Sequence, residues 1–184
     1  GTAINTGVAN TMIGRRAGDG TDDGSFNVAV GKDALSANCG NNNVAIGKDA
    51  LNASTGANNI AIGYQAGLLM VGNGYNTILG TSAFIAADND ENKNIIIGYS
   101  AGAAIDHDNA DSNVIIGFEA GTGGGAAMAS CVAIGDSAMN STGGNAQTGT
   151  IAIGASALTA LTTGANNTAV GYQSLDATET GAVN

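Results

Sequence analysis

One short phrase restricts the folds open to this chain more than any other feature. It is an Asn, three residues dominated by Val, Ile and Ala, and then a Gly. Its clearest form is Asn59-Ile60-Ala61-Ile62-Gly63, continued by Tyr64-Gln65-Ala66, and it returns as Asn167-Thr168-Ala169-Val170-Gly171, continued by Tyr172-Gln173-Ser174. Further copies begin at Asn27, Asn43, Asn76, Asn94 and Asn113, and looser ones at Asn10, Cys131 and Thr150. The anchor glycines Gly14, Gly31, Gly47, Gly63, Gly80, Gly98, Gly117, Gly135, Gly154 and Gly171 fall 16 to 19 residues apart. Helix-pair arrays repeat every 33 to 34 residues or so, about twice this period. A β-branched run bounded by Gly, Asn, Ser and Thr reads instead as a short strand between turns. The period therefore predicts an all-β solenoid, one coil per repeat, as a single domain over residues 1–184 with rungs spanning about 10–175. Ten rungs stacked at about 4.8 Å make a rod roughly 45 to 50 Å long.

Composition agrees with a stack. The chain has 30 Gly, no Pro, no Trp and only 4% aromatic residues. One thick core cannot be filled from so few large side chains, whereas a repeat buries small residues against its neighbours. The formal net charge of −10 opposes nucleic-acid binding, which needs a basic stripe against phosphate. No run of 18 or so apolar residues is present to insert into a membrane as a helix. Cys39 and Cys131 lie some five rungs apart, ~25 Å, beyond disulfide reach. The chain begins at Gly1 rather than Met, as a fragment or a processed chain would.

The strand carries a second message. In Val44-Ala45-Ile46 alternate side chains point to opposite faces, and all three are apolar, so both faces are expected to be covered. The larger residues Val44, Ile46, Ile60 and Ile62 are expected to fill the interior of the coil. The middle residues Ala29, Ala45, Ala61 and Ile96 are expected to line a seam with a neighbouring copy. The glycine is expected at a corner whose backbone disfavours a Cβ, and the Asn before each strand is expected to stack in a ladder from rung to rung.

This repeat, Asn-x-(Ala/Ile)-(Ile/Val)-Gly-x-x-(Ala/Ser), resembles the head repeat of trimeric autotransporter adhesins (YadA-like heads). It is at least as similar to repeats of phage tail fibres and related surface proteins that end in a self-cleaving intramolecular chaperone, most of all over residues 163–175. The resemblance implies a left-handed parallel β-roll, trimeric, on the outside of a virion or a cell. A structural or adhesive role without catalysis is expected, since the sheet positions are aliphatic or small where an enzyme on such a fold needs concentrated carboxylates or basic residues. The unpaired strand edges of an open solenoid make an end-to-end filament of the same subunits an alternative assembly.

Two columns follow the glycine. The first runs Arg15, Lys32, Lys48, Tyr64, Thr81, Tyr99, Phe118, Asp136, Ala155, Tyr172, and the second includes Arg16, Asp33, Asp49 and Gln65. Tyr64, Tyr99, Phe118 and Tyr172 form a candidate ligand-contact column for a cell-surface glycan or host receptor, or else pack at a corner or a subunit seam. Lys32 and Lys48 are expected to pair with Asp33 and Asp49 across rungs, and Gln65 to sit on an exposed corner. Acidic residues gather at Asp19, Asp22 and Asp23, at Asp88, Asp90 and Glu91, and at Asp106, Asp108 and Asp111. They fit solvated loops better than Ca²⁺ sites, since none follows a known calcium-loop pattern, and no cofactor or metal is expected. His107, the single histidine, lies in such a loop without the partners a catalytic triad needs. Asn52, Asn140 and Asn166 head glycosylation sequons that chance explains in a chain so rich in Asn, Ser and Thr. Leu68-Leu69-Met70-Val71 is an apolar run where a polar loop is expected, and it is expected to fold over a coil or into an interface.

Overall fold

The computed structural model describes residues 6–87, 91–107, 109–123, 128–141, 147–161 and 164–177. Ten three-residue strands form one parallel sheet: β1 (Thr11–Ile13), β2 (Val28–Val30), β3 (Val44–Ile46), β4 (Ile60–Ile62), β5 (Thr77–Leu79), β6 (Ile95–Ile97), β7 (Val114–Ile116), β9 (Val132–Ile134), β11 (Ile151–Ile153) and β12 (Thr168–Val170). They stack in sequence order and in register, Ala45 opposite Ala29 and Ala61, for example. Each strand-to-strand step is one turn of a parallel β-solenoid. Where the rungs lengthen, β8 (Met128–Ala129) and β10 (Gln147–Thr148) add a second small parallel sheet. Among the described residues no helix is long and apolar enough to cross a membrane.

The local chemistry explains the coil. All ten anchor glycines occupy equivalent corners at φ between 127° and 148°. At every one but Gly171, a Cβ would run into the backbone carbonyl of the next rung's glycine, so the close approach excludes a side chain as firmly as the dihedral does. Three residues on, an alanine or serine N–H donates back to the glycine carbonyl at 3.2–3.5 Å, closing a tight turn from Ala17 to Ser174. The residue before that alanine is left-handed on every rung, from Arg16 (φ 56°) to Gln173 (φ 53°). The next N–H reaches the following coil, as Leu35 N–H to the Ala50 carbonyl at 3.0 Å, so this opposite wall is laddered too.

The expected Asn ladder is present. Backbone N–H groups of Asn27, Asn43, Asn59, Asn76, Asn94, Asn113 and Cys131 each donate to the Asn side-chain oxygen one rung earlier at 2.7–3.0 Å. The same Asn amides donate onward to a carbonyl of the next coil, as Asn59 Nδ2 to Asn73 O at 2.8 Å. These residues are almost fully buried, and the ladder satisfies polar groups that neither wall can reach.

The strand faces are the reverse of the expectation. Ala29, Ala45, Ala61 and Ile96 are completely buried inside the coil, while Ile46, Ile60 and Ile62 are 37%, 40% and 38% exposed on its outer surface and Val44 is half-buried there. Both columns are apolar, so the alternation alone carries no sense of direction. The deciding factor is the thinness of the lumen. The middle strand residue faces the residue four after the glycine on the opposite wall, and the space between takes about one large side chain. Ala29, Ala45, Ala133 and Ala152 accompany Leu35, Leu51, Met139 and Leu158, whereas Met12, Ile96 and Ile115 accompany Gly18, Gly102 and Gly121. A Cβ at Gly18 would meet the Met12 thioether, and one at Gly121 would meet the Ile115 side chain. On the fourth and fifth rungs the balance crosses rungs: Ala61 and Gly67 leave room that Met70 and Ile78 fill beside Phe84.

Candidate interaction surface

The outer face of the sheet carries two columns of β-branched and aliphatic residues. One runs Thr11, Val28, Val44, Ile60, Thr77, Ile95, Val114, Val132, Ile151, Thr168, and the other ends each strand from Ile13 to Val170. Most are half-buried by their neighbours and present a flat apolar band along the rod.

Two margins border this band. On the glycine side the column predicted for ligand contact is exposed, with Tyr64 at 44%, Tyr99 at 51%, Phe118 at 49% and Tyr172 at 75%. The ring faces are partly taken. Tyr99 and Phe118 stack with centroids 5.1 Å apart and planes 12° apart, and the Lys48 ammonium sits 5.0 Å over the Tyr64 ring. Tyr172 lies three rungs beyond Phe118 and does not join the stack. The opposite margin is the residue before each ladder position, and it carries two aromatics not singled out from sequence, Phe26 (60% exposed) and Tyr75 (65%). Their signal was available, since both directly precede a ladder Asn. They hold the left-handed backbone at φ 61° and 63°, a conformation costly for bulky residues.

Beyond the glycine margin lies a charged strip. Lys32 pairs with Asp33 at 2.9 Å and Lys48 with Asp49 at 2.6 Å within their own rungs, and Arg16 pairs with Asp33 across rungs. The expected cross-rung pairing of the two lysines is corrected accordingly: neighbours in sequence turn to the same side at this left-handed corner. The Arg16 guanidinium, and the Lys32 ammonium after it, hold the Asp33 carboxyl far below the usual carboxylate range. Asp49 in turn raises Lys48. Gln65 shares this corner and is half-buried rather than exposed. A hollow of about 440 Å³ lined by Arg16, Asp19, Asp33, Ser36, Asp49 and Asn52 opens here, and a polar hollow of about 340 Å³ lies near Asp23, Asn38, Cys39 and Thr55.

Most other expected site residues stay apart. Among the described residues no group of three or more His, Cys, Asp or Glu converges to hold a metal ion. Asp23 and Asp106 are exposed, as is His107, and Asp88, Asp90 and Asp108 lie outside the described residues. Glu91 departs from the solvated-loop reading. It is fully buried, its carboxylate accepting from Asn73 Nδ2 at 2.8 Å and from the His107 N–H at 3.0 Å. The reason is register: Glu91 stands three before a ladder Asn, an inward position that Gly24, Gly40 and Gly56 occupy in shorter rungs. Cys39 and Cys131 are free and buried, and burial pushes both thiols up. Cys131 replaces a ladder Asn, donating its S–H to Gln147 O at 3.2 Å. In the apolar run Met70 turns into the core, while Leu69 and Val71 remain exposed at 46% each. No protein-family model, curated protein or solved structure matches this chain.

Proposed function

We propose that this chain is a non-catalytic structural segment of an extracellular fibre, a phage tail fibre or a similar surface appendage. The rod serves as a rigid spacer, three parallel copies shield one another's sheet faces, and the remaining surface is left for contact with a receptor or glycan. The observation that carries the reading is the apolar outer band, continuous over ten in-register strands. A band about 45 Å long and some 15–20 Å wide with its margins offers an area of the order a stable interface buries on each partner, about 800 Å². An exposed face of this size and flatness normally marks an interaction surface. The seam is then formed by the outward strand residues, with Ile46, Ile62 and Ile97 in the place first given to the alanines. Native mass measurement at micromolar concentration tests it, with a trimer expected, and a stable monomer overturns it.

The strand edges support a second assembly. Among the described residues β1 and β12 each pair on one side only, and an unpaired edge is a template for another strand. End-to-end growth would give filaments in electron micrographs, where a closed trimer gives discrete rods. The head of a trimeric adhesin shares the closed geometry and differs in its ligand, which binding to immobilised glycans or matrix proteins would separate.

A further inference from the structure

Six of the seven Phe and Tyr residues stand on the two margins of the outer band, and the seventh, Phe84, is in the core. Their distribution along the rod is complementary. On no rung are both margins aromatic. Rungs with an aromatic after the glycine have Asn, Lys or Ser before the ladder position, and the two rungs with an aromatic there, Phe26 and Tyr75, have Lys32 and Thr81 on the other side.

The fifth rung makes the match specific. Consecutive backbone hydrogen bonds place Tyr64, Thr81, Tyr99 and Phe118 on successive rungs. Lys48 covers the outer face of Tyr64 and Phe118 that of Tyr99, so the column is a stack with one ring missing, at Thr81. Two rung steps separate Tyr64 from Tyr99, about 10 Å. One ring placed midway lies about 5 Å from each, within the range of favourable aromatic pairs. Thr81 is exposed and leaves that level open. On the same rung, across β5, stands Tyr75, held exposed in a left-handed backbone that its bulk disfavours.

We infer that Tyr75 of one copy inserts into the gap at Thr81 of the next, between Tyr64 and Tyr99, and keys the copies in register. The inference rests on the trimeric reading above and adds its contact. A three-fold axis parallel to the rod carries each rung onto the same level of the neighbouring copy, and a cyclic interface joins one margin to the opposite margin of the next subunit. Same-rung residues on opposite margins therefore meet. The same operation sets Phe26 beside Lys32, a cation–π contact of the usual kind.

The test is a cross-link in the full chain. A variant carrying both Tyr75→Cys and Thr81→Cys cannot join them within one copy, because β5 lies between them and its three extended residues alone span roughly 10 Å, beyond the ~7 Å limit for bridged Cα atoms. Mild oxidation is expected to give covalent trimers on a non-reducing denaturing gel. Each single variant, and the unsubstituted chain with its two buried cysteines, is expected to stay monomeric there. Tyr75→Ala, at an exposed position, is expected to weaken association about tenfold or more, as loss of an interface tyrosine does, without changing the β spectrum. A native trimer in which the double variant fails to cross-link, or in which Tyr75→Cys links to itself, overturns the key while leaving the trimer standing. An unaltered association constant for Tyr75→Ala does the same. A native monomer overturns both.

Discussion

The ladder residues hold the stack together one at a time. Asn59 accepts from the Asn76 N–H at 3.0 Å, and its amide donates to Asn73 O at 2.8 Å, all in a fully buried setting. Asn59→Ala strands a buried donor and a buried acceptor, each costing about 1–3 kcal/mol, and is expected to lower the melting temperature by ten degrees or more. Cys131 supplies the onward donor through sulfur but lacks the amide oxygen that accepts from the following rung. Cys131→Asn is therefore expected to stabilise the rod by about 1 kcal/mol, read as a rise in denaturant midpoint; a fall would mean that the site is shaped for sulfur. Asp33 gives the pH dependence. Its carboxyl is held low by Arg16 and Lys32, so its contribution is complete above the unfolded value of about 3.9 and disappears as pH falls toward the depressed folded value. Melting temperature is expected to fall between pH 5 and pH 2 in the unsubstituted chain, and less steeply in Asp33→Asn.

Within one rung the two walls share a fixed volume. Ala45→Ile puts a large side chain opposite Leu51, already completely buried, and overpacking of this kind costs about 1–3 kcal/mol. Leu51→Gly alone opens a cavity worth roughly 2–5 kcal/mol. Together they recreate the pairing of Ile96 with Gly102, and Leu51 already has the left-handed φ of 48° that glycine adopts freely. The double variant is expected to recover most of the loss, so that the thermodynamic cycle shows strong favourable coupling; additive losses would refute volume matching. Much of the rung was legible in the sequence. The glycine spacing fixes the coil, and the leading Asn fixes the ladder. The direction of the strand was not, because Val44-Ala45-Ile46 is apolar on both faces and residue size misleads when the lumen is narrow. The pairing of strand centre with opposite wall was also written there, but only the fold shows which positions, six residues apart, face each other. Glu91 failed for a related reason: on earlier rungs its inward column holds Gly24, Gly40 and Gly56 and then Asn73, a small or polar series in which nothing local marked the position as buried.

At the scale of the whole rod, folding and the proposed assembly call on opposite faces of the same strands, and adjacent residues can separate them. Ala61 and Ile62 are neighbours in β4, the first completely buried in the lumen and the second 38% exposed on the outer band. Ala61→Asp places a carboxylate in a lumen with no room and no cation opposite it. Burying an unpaired charge costs several kcal/mol or forces protonation, so the variant is expected to lose β structure or melt far lower at any protein concentration. Ile62→Asp leaves the lumen intact. On an isolated rod it costs about 1 kcal/mol, through aspartate's poor fit to a strand. In an assembly it faces a second apolar band and meets the full desolvation cost there. The expected result is a folded monomer, with β spectrum retained, native mass of a single chain, and a melting temperature no longer rising with concentration. Should Ile62→Asp remain trimeric with unchanged melting, the outer band is not the seam, and the copies meet elsewhere on the coil.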